Sequence, residues 1–319
     1  MTLSGILRGA AAALCIGLVG GCGGSSDTVE PFKPAGVVAF GDELSFLGPG
    51  GAKYTVNALE DDGTISCDTY PLWIQVVARD FGVRFETDPC LKADEVPRGR
   101  IFATPGAKVA DVATQVDAFL ATASPASVHL ALMWAGSNDI LELYAQYPAQ
   151  TESALADQAF ARGRALAALA NLVGLSGHPV VIVTALDMGL SPMARAAGPD
   201  AQRVMSMLSK EFNSAIHVNL LQDGRRVGIV FGEGEVQNAT EVPSSYGYEN
   251  VLVGSCLESA PLPTCTTDTT IFPDLPATSQ DEGVNIAVLS LWADGTRPGP
   301  SFHGRIGSLA LSRARNNPF

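Results

Sequence analysis

The feature that most constrains the fold of this chain is the alternation of short apolar runs with longer segments of helical periodicity. In the segment after Arg203, for example, apolar residues recur four positions apart from Val204 to Leu220. Predicted strands lie near 36–41, 100–104, 128–134, 179–185 and 227–231, and predicted helices near 71–81, 109–121, 152–175, 203–221 and 301–313. This alternation predicts a three-layer α/β fold with about five parallel strands and helices on both faces of the sheet.

Two segments break this rhythm, 46–68 and 233–285, and both are rich in acidic residues. Loops of such length in a compact domain usually serve a function or are disordered. Ligands of open α/β sheets bind outside the carboxyl ends of the strands. We therefore expect these two segments to surround a site at that edge of the sheet.

The charge balance excludes one class of partner. The formal net charge is −13, and the sequence contains no dense cluster of Lys and Arg. Nucleic-acid surfaces require concentrated positive charge. The sequence therefore predicts a protein that does not bind nucleic acid.

The N-terminus has the composition of an export signal. Residues 1–21 carry one charge, Arg8, followed by an apolar run that is too short to span a bilayer. The sequence Val19-Gly20-Gly21-Cys22 resembles a bacterial lipobox, which implies cleavage before Cys22 and a lipid on its sulfur. An ordinary Cys after an ordinary signal is the alternative.

The lipoprotein resemblance also implies a location. Gly23 follows the Cys, which favours an outer-membrane lipoprotein that faces the periplasm or the cell surface. Its membrane contact would be the N-terminal lipid anchor. We predict a flexible tether over 22–35 and a folded domain over 36–319.

Four cysteines remain for the folded domain: Cys67, Cys90, Cys256 and Cys265. An even number fits an oxidising compartment, and three pairings are possible. We predict the pairing that is local in sequence, Cys67 with Cys90 and Cys256 with Cys265. A metal site is the rival interpretation, but without a CxxC spacing or a nearby His we predict no metal, and we expect no other cofactor.

The motif Val37–Ser45 reads Val-Val-Ala-Phe-Gly-Asp-Glu-Leu-Ser, a buried-strand pattern that ends in Gly-Asp. It resembles the first motif of the SGNH or GDSL hydrolases, in which Ser follows Gly-Asp and is the nucleophile. In this chain Glu43 occupies that position.

Two further stretches resemble the oxyanion motifs of the same family. Ala103–Val109 runs from a strand end through Gly106, and Leu130–Asp139 ends in Gly-Ser-Asn-Asp. The resemblance implies that the N–H of Gly106 and the side chain of Asn138 are oxyanion donors. Asn138 as a simple turn or helix-cap residue is the alternative.

The last motif precedes the final predicted helix, where the family has Asp-x-x-His-Pro and a second His several residues later. Asp294, Pro298 and His303 match this pattern. The catalytic His is replaced by Arg297. The resemblance thus retains the orienting Asp and loses the general base.

The resemblance extends from residue 36 to about 314 and keeps the order of the family's motifs. It is nearest to the bacterial GDSL esterase and lipase branch. It implies a flavodoxin-like arrangement of the predicted sheet and helices.

Replacement of both the nucleophile and the base predicts a pseudoenzyme, because Arg keeps its proton at every physiological pH. Such a protein would bind an ester, lipid, glycan or envelope protein in the retained pocket. The alternatives are an active esterase, lipase or glycan deacetylase that uses Glu43 as general base, and a purely structural envelope protein. We also expect Glu43 and Arg297 to form an ion pair, with Asp294 sharing the guanidinium.

The lipid anchor gives the first testable prediction. Changing Cys22→Ser should leave the protein unprocessed or soluble, because the acceptor sulfur is lost. Fractionation of cells into membrane and soluble material measures this. Unchanged recovery with the membranes would contradict the lipobox interpretation.

Overall fold

Five parallel strands form the central sheet of the computed structural model, which describes residues 32–124, 126–271 and 286–316. The strands are β1 (Gly36–Gly41), β2 (Gly99–Ile101), β3 (His129–Trp134), β4 (Val180–Val183) and β5 (Val227–Val230). Their order is β2-β1-β3-β4-β5, and all neighbouring pairs are parallel. This is the doubly wound order of flavodoxin-like folds, so the predicted fold class is confirmed.

Helices cover both faces of the sheet, as predicted. The main helices are α1 (Trp73–Asp80), α2 (Val109–Leu120), α3 (Ser137–Tyr144), α4 (Glu152–Leu175), α5 (Pro192–Ala197), α6 (Pro199–Asn219), α7 (Gly232–Glu241) and α8 (Pro300–Asn316). Helix α1 packs with α8, while α4 packs with both α2 and α6 on the other face. The buried residues of α6 include Val204, Leu208 and Phe212, which belong to the apolar i+4 pattern.

The prediction of one long loop over 233–285 is wrong in part. Its first residues belong to α7, and Asn250–Gly254 forms strand β6. Strand β6 pairs in parallel with β7 (Ser290–Trp292), which leads into the last sequence motif. Because β6 is short and exposes Leu252 and Val253, its apolar run could not be distinguished from a loop by periodicity.

Several predictions concern residues outside the described ranges. The signal peptide, Cys22 and most of the tether lie in 1–31, and they stay predictions. Among the residues that the structure describes, no helix is both long enough and apolar enough to cross a membrane.

The four cysteines of the domain form two disulfides, in the predicted pairing. Cys67 is joined to Cys90 and Cys256 to Cys265, with Cα–Cα distances of 5.2 and 5.8 Å. The sulfur atoms are therefore not free thiolates for a metal ion. The first bridge fastens the end of the 46–68 segment, and the second closes the loop after β6.

Removing the first bridge should destabilise the domain. Its two cysteines are 23 residues apart, and the chain-entropy model gives about 3 kcal/mol for a loop of this size. The double change Cys67→Ser and Cys90→Ser should lower the free energy of unfolding by this amount in chemical denaturation. Wild-type protein in reductant is the control and should lose at least as much; equal stability of all three forms would refute the prediction.

Candidate functional site

The end of strand β1 places Glu43 above the carboxyl edge of the sheet. Gly41 adopts φ +129°, and a Cβ at this position would overlap the carbonyl oxygen of Trp134, so only Gly fits there. Asp42 is fully buried, and its Oδ1 accepts from the N–H of Leu44 at 3.0 Å. Glu43 begins the single helical turn that follows. The strand, the Gly turn and the Asp cap together fix the direction of the Glu43 side chain.

The carboxylate of Glu43 is bound through both oxygens. Its Oε2 accepts from the N–H of Gly106 at 2.8 Å and from Nδ2 of Asn138 at 3.0 Å. Its Oε1 accepts from Nε of Arg297 at 3.0 Å and lies 2.9 Å from Nη2 of the same side chain. The two groups that resemble oxyanion donors therefore point at one internal carboxylate oxygen.

Arg297 is held by a tight loop after β7. Asp294 accepts through Oδ1 from the N–H groups of Thr296 and Arg297, at 2.8 and 2.7 Å. Its Oδ2 accepts from Nη1 of Arg297 at 2.9 Å. The planar guanidinium thus bridges two carboxylates, those of Asp294 and Glu43. Tyr54 lies beside it, with the ring centroid 5.7 Å from Cζ of Arg297.

Helix α3 positions the Asn138 amide. Asp139, the next residue of α3, is buried and accepts through Oδ2 from the N–H of Val109, the first residue of α2, at 3.0 Å. Its Oδ1 lies 3.2 Å from Nη1 of Arg162 in α4. Burial raises the pKa of Asp139 to about 6, although the Val109 N–H and Arg162 oppose the shift. These contacts fix the start of α3 against the loop that carries Gly106.

The local charges keep both partners of the pair ionised. Burial by itself would raise the pKa of Glu43, but the Arg297 charge and the hydrogen bonds from Asn138 and Gly106 outweigh burial and lower it. Burial would lower the pKa of Arg297, but Asp294 and Glu43 raise it. The Glu43 side chain is 6% exposed and the Arg297 side chain 30%, so the pair is largely removed from water.

This geometry differs from a free oxyanion hole. In acyl transfer the donors must be available where negative charge develops on the substrate. Here both donors are hydrogen-bonded to Glu43, and Arg297 cannot accept a proton. The neighbouring Ser45 is also engaged, since it is fully buried and its Oγ accepts from Nε1 of Trp73 at 3.2 Å.

None of the four histidines is among the residues that contact Glu43. His217, near the end of α6, lies with Nε2 3.4 Å from Oε1 of Glu233. His303 is fully buried in α8, with its ring centroid 6.0 Å from that of Trp134. Burial, and then the charge of Lys53, lower the pKa of His303 to about 3. Among the described residues neither of its ring nitrogens has a hydrogen-bond partner. His129 and His178 meet near the opposite ends of the strands, where Nδ1 of His178 accepts from the His129 N–H.

A cavity of about 550 Å³ lies between α2, α3 and α4; Asp139 contributes to its wall, but Glu43, Gly106 and Asn138 do not. Its wall contains several alanines and also carries Lys108, Glu142 and Arg162. Lys108 is two residues from Gly106, and its Nζ lies 2.6 Å from Oε1 of Glu142. The volume is within the range of small-molecule sites.

The structure brings together the residues that the motifs single out, whereas the groups around them were not indicated by sequence analysis. The central residues converge as the motif positions imply, and these are Glu43, Gly106, Asn138, Asp294 and Arg297. Tyr54 has no sequence signal, because an aromatic residue in a long loop belongs to no periodic pattern. The role of Asp139 does have one, its position directly after Asn138 at the start of a helix.

Comparisons with known proteins give structural neighbours only. No family model matches the chain, and no similar protein was found among the curated proteins. One solved structure similar to it is a member of the lipolytic protein G-D-S-L family from Veillonella parvula (TM-score 0.41, 10% identity, 87% of this chain and 94% of that one). Another is Axe2, an acetylxylan esterase from Geobacillus stearothermophilus (TM-score 0.39, 14% identity, 89% of this chain and 97% of that one).

The ion pair predicts a specific order of stabilities. Arg297→Ala leaves the Glu43 carboxylate largely buried without its counter-charge and should cost roughly 2 kcal/mol, between the values for exposed and fully buried pairs. Adding Glu43→Ala removes that carboxylate, so the double variant should lose less free energy of unfolding than Arg297→Ala alone, as measured by denaturant unfolding. Because the pKa of Glu43 is lowered in the folded state, the advantage of the wild type over Arg297→Ala should be present above the usual Glu range and fade as the pH falls below it.

The matched control is an exposed ion pair. Arg203 and Glu152 lie 2.7 Å apart, with side chains 52% and 40% exposed. Solvent screens such a pair, so Arg203→Ala should lower the free energy of unfolding much less than Arg297→Ala does. Equal losses for the two variants would show that the site pair contributes no more than a surface contact.

Proposed function

We propose that this chain is a catalytically inactive protein of the SGNH/GDSL hydrolase fold that acts by binding rather than by hydrolysis. The observation that carries the proposal is the position of the Glu43 carboxylate. It accepts hydrogen bonds from Gly106 and Asn138 and lies against Arg297. By the family resemblance the first two would be oxyanion donors, and Arg297 would occupy the position of the general base.

Loss of both reacting groups would be sufficient to abolish turnover. In a serine hydrolase, removing the nucleophile or the base alone lowers turnover by about 10⁶-fold, and the remaining catalysis comes from the oxyanion hole and substrate binding. In this chain Glu43 also fills the place of the oxyanion. The residual contribution of the hole is therefore lost as well.

The same contacts disfavour an active hydrolase in which Glu43 is a general base. Such a base needs an oxygen that is free to accept a proton from water, with a pKa near the working pH. Both oxygens of Glu43 accept hydrogen bonds, and its pKa is lowered rather than raised. Its negative charge also lies where the substrate oxyanion would form, which would repel the transition state.

The binding role is proposed for a cell-envelope lipoprotein anchored at Cys22. The partner would be an ester, lipid, glycan or envelope protein. The cavity of about 550 Å³ between α2, α3 and α4 supports a small-molecule ligand, because it combines an apolar wall with the charged groups of Lys108 and Glu142.

A panel of short acyl esters and aryl esters tests the proposal. The wild type should not exceed the uncatalysed rate. The double variant Glu43→Ser with Arg297→His should gain measurable esterase activity, because the change restores a nucleophile and a base and also frees Gly106 and Asn138. Asp294 is already placed to orient an imidazole at position 297.

The control is the same double variant with Asn138→Ala added. Removing one oxyanion donor should lower the regained activity by about 10²–10³-fold. Wild-type turnover well above background that disappears in Glu43→Gln would overturn the proposal in favour of a carboxylate general base.

A further inference from the structure

The ends of the sheet differ in the charge that surrounds them. The strands β1 to β5 are parallel, so their N-terminal ends lie at one edge, opposite the edge that carries Glu43. Four helices, α2, α4, α6 and α8, run back toward the edge formed by the strand N-termini and end near it. We call the surface formed by these strand starts and helix ends the basal face.

Exposed cations are concentrated on the basal face. Some of them precede or begin the strands β1 and β2, and others precede β5 or lie near the end of α8. They are Lys33, Arg98, Arg100, Arg225, Arg226 and Arg313. The chain as a whole has 20 Lys and Arg against 33 Asp and Glu, so this concentration runs against the average charge of the protein.

Acidic residues neutralise only a small part of this charge. Asp223 pairs with Arg226 at 2.8 Å, and Asp80 pairs with Arg315 at the end of α8. Asp117, near the end of α2, is a third acid of this face. Exposed Glu86 is a fourth, because the parallel bridge between Phe85 and Gly99 brings it into register with Arg100. Within the described ranges, the other cations of the basal face have no carboxylate at ion-pair distance.

Where these other cations form hydrogen bonds, their partners are neutral groups. Arg98 donates to the backbone carbonyls of Gly82 and Ala35, at 2.7 and 3.3 Å. Arg100 donates to Oγ1 of Thr122 at 3.2 Å. Neutral acceptors leave the positive charge uncompensated, so it remains available to an external anion.

Exposed apolar side chains accompany the cations. Leu175 at the end of α4 is 62% exposed, and Val218 near the end of α6 is 69% exposed. The two helix ends are adjacent, because Nδ2 of Asn171 donates to the carbonyl of Asn219 at 2.8 Å. Arg226 packs against the last turn of α4. Cations around protruding aliphatic side chains are typical of surfaces that enter the lipid headgroup region.

The opposite edge of the domain does not share this character. The exposed loop that follows β1 carries Glu60, Asp61 and Asp62 in succession. At that edge Arg297 and Lys108 are both paired with carboxylates. The domain is therefore polarised, with unpaired positive charge at one end and acidic residues at the other.

We propose that the basal face lies against an anionic lipid bilayer, with its cations at the headgroups and Leu175 and Val218 in the interface. The point where the chain enters the domain supports this partner over an acidic protein. The domain begins at Lys33, on the basal face, so a lipid at Cys22 would bring this face next to the membrane. The inference rests on the proposed lipid anchor at Cys22 for its choice of partner, and on the proposed envelope location for which membrane that partner is. In this orientation the edge of the sheet that carries Glu43 faces away from the bilayer.

Vesicle flotation of the full chain carrying Cys22→Ser tests the proposal without a covalent lipid. Partitioning is measured on anionic vesicles of phosphatidylethanolamine with phosphatidylglycerol and on vesicles of phosphatidylcholine. The quantity compared is the ratio of the first value to the second. The N-terminal segment is common to all variants, so differences between variants report the domain. We expect a ratio well above one that falls toward one near 1 M salt, where the screening length is about 3 Å.

Reversal of three unpaired charges tests the face itself. One basic residue near an anionic surface contributes about fivefold in partitioning, so loss of three positive charges should lower the ratio on the order of a hundredfold, and the three introduced carboxylates should lower it further. The face variant carries Lys33→Glu, Arg225→Glu and Arg313→Glu. The control reverses three exposed cations elsewhere, Lys92→Glu, Arg164→Glu and Lys210→Glu. It changes the net charge equally and should retain most of the preference, and circular dichroism establishes that both variants are folded.

Hydrogen exchange locates the contact. On anionic vesicles the amides at the ends of α4 and α6 should exchange severalfold more slowly than on phosphatidylcholine, and the face variant should lose this protection. Equal partitioning of the Cys22→Ser protein on the two lipids, or an equal loss in the control variant, would sink the proposal. Binding to an acidic envelope protein with no lipid preference would replace it with a protein partner. These outcomes are independent of ester hydrolysis, so they are distinguishable from failure of the proposed function.

Discussion

The ion pair between Glu43 and Arg297 joins the parts of the chain on which the site depends. Its carboxylate receives hydrogen bonds from the Gly106 loop, from Asn138 in α3 and from the loop after β7. These segments are far apart in sequence, and one side chain holds them at the same edge of the sheet. The pair is mostly buried, and a buried charge that loses its partners is costly. Its contribution to the stability of the fold therefore depends on keeping all the donors in place.

The central sheet could be predicted from the sequence because each buried strand is a short apolar run followed by a helical pattern. The alternation does not determine strand order, because different doubly wound folds share it; the observed order was implied only by the flavodoxin-like resemblance. The small sheet of β6 and β7 could not be predicted, since β6 exposes two of its aliphatic side chains. Helix α7 was missed for a related reason: only Gly232, Val236 and Ala239 of its residues are buried, which is a weak apolar stripe.

The residues that meet at the candidate site could be predicted where they belong to sequence motifs. Glu43 and Arg297 stand at two such motif positions and carry opposite charges, so their ion pair could be expected. The sequence did not indicate that Glu43 would accept the hydrogen bonds of both oxyanion donors. That result depends on side-chain reach. A Glu side chain is longer than Ser, so its carboxylate extends into the space beside Gly106 and Asn138 that a substrate oxygen would need. Motif positions specify which residues meet but not how far each one extends.

The enclosed imidazole of His303 has a consequence for the tolerance of this protein to acid. In the unfolded chain an ordinary His takes up a proton below a pH of about 6.5, whereas burial lowers the pKa of His303 in the folded protein to about 3. Between these values the unfolded state binds more protons, so the free energy of unfolding falls as the medium becomes more acidic. A histidine buried in the core, outside the hydrogen bonds around Glu43, thus couples the stability of the fold to the acidity of the surroundings.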